Sequence, residues 1–136
     1  MVLATPNRLR TSAEFSSTVR SGVRYGRRNV VLYAAPLDSG EPTRIGFIVS
    51  KSVGNAVARN LVKRRLREAG FLSLSTYGTG LAIVVRALPA SSSATWAQLS
   101  VDFDVALAAV ARRIVTSESL PKAVGDRTQQ ERNVRG

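Results

Sequence analysis

Between Asn55 and about Ala69 the residues sort into two opposed faces when laid out at about 100° per residue. Leu61, Ala58, Ala69, Val62 and Leu66 share one arc, while Arg59, Lys63, Arg67, Asn60 and Arg64 share the opposite one. A helix of this kind must bury its apolar side in its own domain and offer four cations and an amide to something outside. Arg65 breaks the sorting, so its stem has to snorkel at the boundary. Acidic neighbours that would neutralise the cationic row are nearly absent, Glu68 standing four residues after Arg64 as the exception.

The charge distribution supports the same reading. Of a net +11 over 136 residues, residues 1–30 carry +5 and residues 51–70 another +5. A surface shaped only by solubility intersperses both signs, whereas two concentrated basic stretches make a footprint for phosphates. The chain has no Cys and no His, which removes disulfides, thiol nucleophiles, imidazole bases and zinc-finger ligands. Asp102 and Asp104 are the only close acidic pair, and at i,i+2 on a helix they point in different directions, poorly suited to holding the metal pair of a nuclease. No apolar run reaches the roughly 18 residues of a membrane span, and the N-terminus lacks the apolar core of a signal peptide. A cytoplasmic protein without a membrane partner is therefore expected.

Local signals order the remaining elements. Thr11-Ser12-Ala13-Glu14 has capping-box spacing and predicts a helix from about Ser12 to Ser21, with Gly22 as its stop. Asn29–Ala35 and Ile45–Val49 are strand-like runs separated by a turn-rich stretch from Pro36 to Pro42, which predicts a hairpin; Arg24–Arg28 is a weaker edge-strand candidate. Tyr77–Gly80 marks a turn before the apolar strand Leu81–Val85, which Pro89 ends. Thr95 is placed to cap a helix from Trp96 to about Val115 whose Leu99, Phe103, Leu107 and Val110 fall at core spacing. Trp96, Phe103 and Phe71 are assigned to packing, and packing is also the ordinary role for Phe15 and Tyr33. The order predicts an α+β sandwich with a small mixed sheet of about four strands, one domain over residues 1–116, and a polar, disordered tail over 117–136.

Lys51–Glu68 runs Lys-Ser-Val-Gly-Asn-Ala-Val-Ala-Arg-Asn-Leu-Val-Lys-Arg-Arg-Leu-Arg-Glu. The Lys, the Gly-Asn-Ala-Val turn, the Arg-Asn pair and the Lys-Arg-x-x-Arg run resemble, in order and spacing, the signature of the bacterial ribonuclease P protein family. Asn7-Arg8-Leu9, Glu14-Phe15, Val31-Leu32-Tyr33 and Ile45-Gly46-Phe47-Ile48-Val49-Ser50 agree with it, so the resemblance covers about residues 6 to 115.

The resemblance implies a compact α/β domain with a left-handed βαβ crossover into the strand after the basic helix, a hand that general chain topology disfavours. It also implies a subunit of the ribonucleoprotein that removes the 5′ leader of precursor tRNA, with catalysis by the RNA subunit and Mg²⁺ and no catalytic residue in this chain. Two partners follow, the catalytic RNA and precursor tRNA, with no small-molecule substrate. On the family pattern Arg59, Asn60, Lys63, Arg64 and Arg67 contact the RNA subunit, with Lys51 and Arg8 as outlying phosphate contacts. Asn60, an amide, suits a hydrogen bond to RNA or to water around Mg²⁺. Phe15, Val19 and Tyr33 line the leader cleft.

Two departures stand out: Leu61 replaces a basic residue that often follows the Arg-Asn pair, and Val19 replaces a second aromatic on the first helix. The first costs one phosphate contact, and the wheel puts Leu61 on the buried side. A structured-RNA protein without a processing role shares the charge and fold class, and only the Lys51–Glu68 signature separates the two.

Overall fold

The computed structural model describes residues 3–119. Helix α1 spans Ser12–Ser21, as its capping box predicts: the Glu14 N–H donates to Thr11 Oγ1 at 3.1 Å and the Thr11 N–H donates to Glu14 Oε1 at 3.1 Å. It stops at Gly22, where an added Cβ would collide with the carbonyl oxygens of Thr18 and Ala34.

Four strands follow, β1 (Val23–Gly26), β2 (Val30–Pro36), β3 (Arg44–Ile48) and β4 (Leu81–Ala87), in the spatial order β1-β2-β4-β3. The expected hairpin between β2 and β3 does not form. Strand β4 lies between them, antiparallel to β2 and parallel to β3, and the true hairpin joins β1 to β2. The reason lies in the composition of β4, whose residues Leu81 through Val85 are all buried; a strand so apolar gains most from neighbours on both edges and cover on both faces. The Arg24–Arg28 segment supplies β1 and its turn, closed by the Arg27 N–H donating to the Val30 carbonyl at 2.8 Å.

Helices α2 (Ala56–Tyr77) and α3 (Trp96–Ser119) cover one face of the sheet. Val30, Leu32, Ala34, Ile45, Ile83 and Val85 meet Val62 and Leu66 of α2 and Leu99, Phe103, Leu107 and Val110 of α3 in one core. Each large aliphatic or aromatic side chain removed from water there contributes roughly 1.5–3 kcal/mol. Helix α2 runs about two turns past the predicted Ala69 because Gly70 is buried against β3: a Cβ at Gly70 would lie 3.2 Å from Phe47 Cζ and 3.4 Å from Ile45 Cδ1. The glycine is a point of close approach, not a stop.

The β3–α2–β4 unit joins neighbouring parallel strands through a helix. Helix α3 continues to Ser119, three residues into the segment expected to be a disordered tail; the rest of that tail, 120–136, lies outside the described residues.

The opposite face of the sheet carries α1, packed on β2 and β4. Register puts Tyr33, Val84 and Gly46 in one row across β2, β4 and β3 on this face, because Tyr33 pairs with Val84 and Val84 with Gly46.

Candidate nucleic-acid interface

The basic helix is aimed by the loop that precedes it. Lys51–Val53 makes one 3-10 turn, Gly54 follows at φ 153°, a conformation that disfavours any side chain, and Asn55 caps α2 by accepting the Ala58 N–H on Oδ1 at 2.9 Å. Asn55 is thus engaged as a cap. Val62, Leu66, Ala69 and Gly70 then point into the core, which turns Asn60, Arg64 and Arg67 to solvent and leaves Arg59 and Lys63 half-buried along one flank. Arg27 pairs with Asp102 and Arg44 with Glu14, neither pair taking a cation from α2. The two-sided helix expected from the spacing is present.

Leu61 departs from that expectation. It is 36% exposed, not buried, because the buried arc is centred on Val62, Leu66 and Ala69 and one step of about 100° carries Leu61 beyond its edge. Arg65 sits on the same flank and does not merely snorkel: its guanidinium donates to the Ala94 carbonyl at 2.9 Å. Arg59 Nε is buried without a hydrogen-bond partner among the described residues.

On the other flank the N-terminal segment joins α2. Leu9 N–H donates to the Ile45 carbonyl at 3.2 Å, so the segment lies beside β3 as a partial fifth strand, and Arg8 pairs with Ile45 in a parallel bridge. A hollow of about 670 Å³ opens between this segment and α2, walled by Arg8, Phe15, Phe47, Lys63, Arg64 and Arg67. It brings together residues assigned separately on sequence: Phe15 from the leader group with Arg8, Lys63, Arg64 and Arg67 from the RNA-subunit group. Phe47, on β3, had no assigned role, and its place beside the cations depends on the sheet register.

Arg59, Asn60 and Lys51 lie outside this hollow, Asn60 and Lys51 on exposed surface nearby. Tyr33 and Val19 are half-buried on the α1 side of the sheet. With strands about 4.8 Å apart, Tyr33 is two strands, about 10 Å, from Gly46, against which Phe15 rests. The Arg24 guanidinium lies 5.9 Å from the Tyr33 ring centroid, placing a cation beside that aromatic as well.

Glu14 fastens α1 to this edge. Its Oε2 accepts from Arg44 at 2.9 Å, while the Arg10 and Thr11 N–H groups donate to Oε1. Those backbone donors first, and Arg44 after them, hold its carboxyl below the ordinary glutamate value.

The acidic pair takes no part in such a surface. Asp102 is buried, accepting from Arg27 at 3.1 Å and from the backbone and side chain of Asn29 at 3.0 and 2.9 Å, so it pins the β1–β2 turn to α3. Asp104 points elsewhere, with its carboxyl raised by partial burial. Among the described residues no group of three or more His, Asp or Glu side chains is placed to hold a metal ion, and no helix is long and apolar enough to cross a membrane.

The chain is similar to known proteins along most of its length. Residues 3–111 match the family model described as Ribonuclease P. A ribonuclease P protein component from Pseudarthrobacter chlorophenolicus is 74% identical over 113 residues, covering 83% of each chain, and one from an Arthrobacter species is 64% identical over 133 residues, covering 96% of each. The Staphylococcus aureus RNase P protein superimposes with a TM-score of 0.67 at 29% identity, over 74% of this chain and 92% of that one.

Proposed function

This chain belongs to the ribonuclease P protein family, and from that premise we propose that it binds the catalytic RNA through α2 and the 5′ leader of precursor tRNA through the aromatic face beside α1. As a ribonuclease P protein component it is a subunit of the tRNA-processing endoribonuclease, whose catalytic RNA is a separate subunit. The observation that carries the residue-level reading is the cationic ridge of α2, with Asn60, Arg64 and Arg67 exposed and Arg59 and Lys63 half-buried, beside an aromatic-walled hollow.

Two modes of RNA contact fit the two regions. Arg59, Lys63, Arg64 and Arg67, with Lys51 and Arg8 at the margins, suit the ordered phosphates of a folded RNA. Phe15 and Tyr33, with Val19 one turn after Phe15 on α1, offer aromatic and apolar surface to unpaired nucleotides. Because Arg64 and Arg67 share a hollow with Phe15, a leader leaving the aromatic face meets the same cations that hold the RNA subunit. The protein therefore screens repulsion where two RNAs converge.

The described residues do not fit a protein-held divalent ion, since among them the donor set lacks clustered carboxylates and Asp102 is engaged by Arg27 and Asn29. Mg²⁺ belongs in this reading with the RNA, and Asn60, an exposed amide, is the group suited to touch its water shell. A 5′ processing assay at low Mg²⁺ tests the proposal: RNA subunit with this protein should cleave precursor tRNA where the RNA alone cleaves poorly. Equal cleavage with and without protein would refute it.

A further inference from the structure

We propose that Trp96 and Leu61 form a stacking site for one unpaired base of the ribonuclease P RNA, on the flank of α2 opposite Phe15. The inference rests on the reading that α2 binds that RNA. Trp96, assigned to packing on sequence, is 36% exposed, as is Leu61, and the two line a hollow of about 330 Å³ with Arg64, Arg65 and Glu68 at its walls. Scattered apolar side chains on a surface need no explanation, but an indole and a leucine sharing one concavity beside a cationic ridge form a platform with a flat apolar wall.

Continuity with the phosphate-binding ridge identifies the occupant. Arg64 lines this hollow and the larger one containing Phe15, so a backbone whose phosphate lies at Arg64 has a base within reach of Trp96. The base must be unpaired, because bases inside an A-form helix do not present their faces.

The platform is also held in place. Thr95 and Gln98 cap α3 reciprocally, with the Thr95 N–H donating to Gln98 Oε1 at 2.9 Å and the Gln98 N–H to Thr95 Oγ1 at 3.1 Å, which fixes Trp96 at the first helical position. Arg65 ties α2 to the residue before Thr95 through the Ala94 carbonyl. Little ordering is left for binding to supply. Leu61 puts an exposed apolar side chain beside Arg64 and Arg65, so at this position the helix offers an apolar contact rather than a phosphate contact.

Trp96 is the only tryptophan among the 136 residues, so its emission reports on this site alone. Titrating the full-length protein with the RNA subunit should quench that emission at stoichiometric binding. W96A should assemble about tenfold more weakly, with W96F retaining most of the affinity, and with a salt dependence parallel to wild type because no phosphate contact is lost. Matched thermal melts of W96F and wild type separate stacking from folding. Unchanged emission on assembly, or wild-type affinity in W96A, overturns the stacking site while leaving the α2 reading intact. Emission that changes with protein concentration alone, or with precursor tRNA alone, assigns the hollow to a second copy or to the leader and likewise overturns it. Failure of the wild-type protein to assemble at all refutes the α2 reading as well.

Discussion

The tip of the Phe15 ring occupies the space that a side chain at Gly46 would need: an added Cβ would lie 2.6 Å from Phe15 Cε2 and 3.0 Å from Leu9 Cβ. Glycine on β3 therefore lets α1 and the N-terminal segment descend onto the strand, and that descent sets Phe15 at the wall shared with Lys63, Arg64 and Arg67.

G46A should lower stability by about 1–3 kcal/mol, the usual cost of overpacking a filled site, and should weaken precursor tRNA binding by displacing Phe15. A denaturant melt checks the first effect and a binding titration the second. Wild-type stability in G46A would show that α1 tolerates a lift from the sheet.

F15A and Y33A address the leader. Each removes one aromatic face, worth about 1–3 kcal/mol when a base stacks on it, so precursor tRNA should bind roughly tenfold more weakly while mature tRNA is nearly unaffected. Equal losses for the two substrates would mean that the substitutions act through folding.

The parts of this fold that sequence foretold are those encoded within a few residues. Thr11 and Glu14 announce α1 because the capping box is local, and the 3.6-residue period reveals the cations of α2 because a helix repeats faithfully. Strand partnership is not local: the turn between Pro36 and Pro42 signals a reversal but cannot say that β4, arriving from beyond α2, will separate β2 from β3. Nor does a helical pattern that fades after about Ala69 show that α2 continues through Gly70, whose place is set by the closeness of Phe47. The union of Arg8, Phe15 and Lys63 in one hollow depends on the N-terminal segment lying along β3, a relationship with no periodic trace. Leu61 lies one step beyond a buried arc whose centre is fixed by tertiary packing, whereas Trp96 falls on the core side of its own helix but at the first position of α3, where that face is only partly covered.

Glu14 gives the edge a pH dependence of definite sign. Its carboxyl is held low by the Arg10 and Thr11 N–H groups and then by Arg44, so its contribution is full above the ordinary glutamate value and is lost as pH falls through the depressed one. The stability gap between wild type and E14Q should be present at neutral pH and close on acidification through the carboxylate range, as thermal melts would show. A gap that widened in acid would contradict the ion pair and cap seen at Glu14.

The most direct measurement is the salt dependence of assembly with the RNA subunit for wild type and the R59A/K63A/R67A triple variant. If the cations of α2 grip phosphates, three lost contacts should weaken binding and reduce the slope of log affinity against log salt by about 2–3. A variant that is folded yet assembles with the wild-type slope and affinity would show that the RNA is held elsewhere.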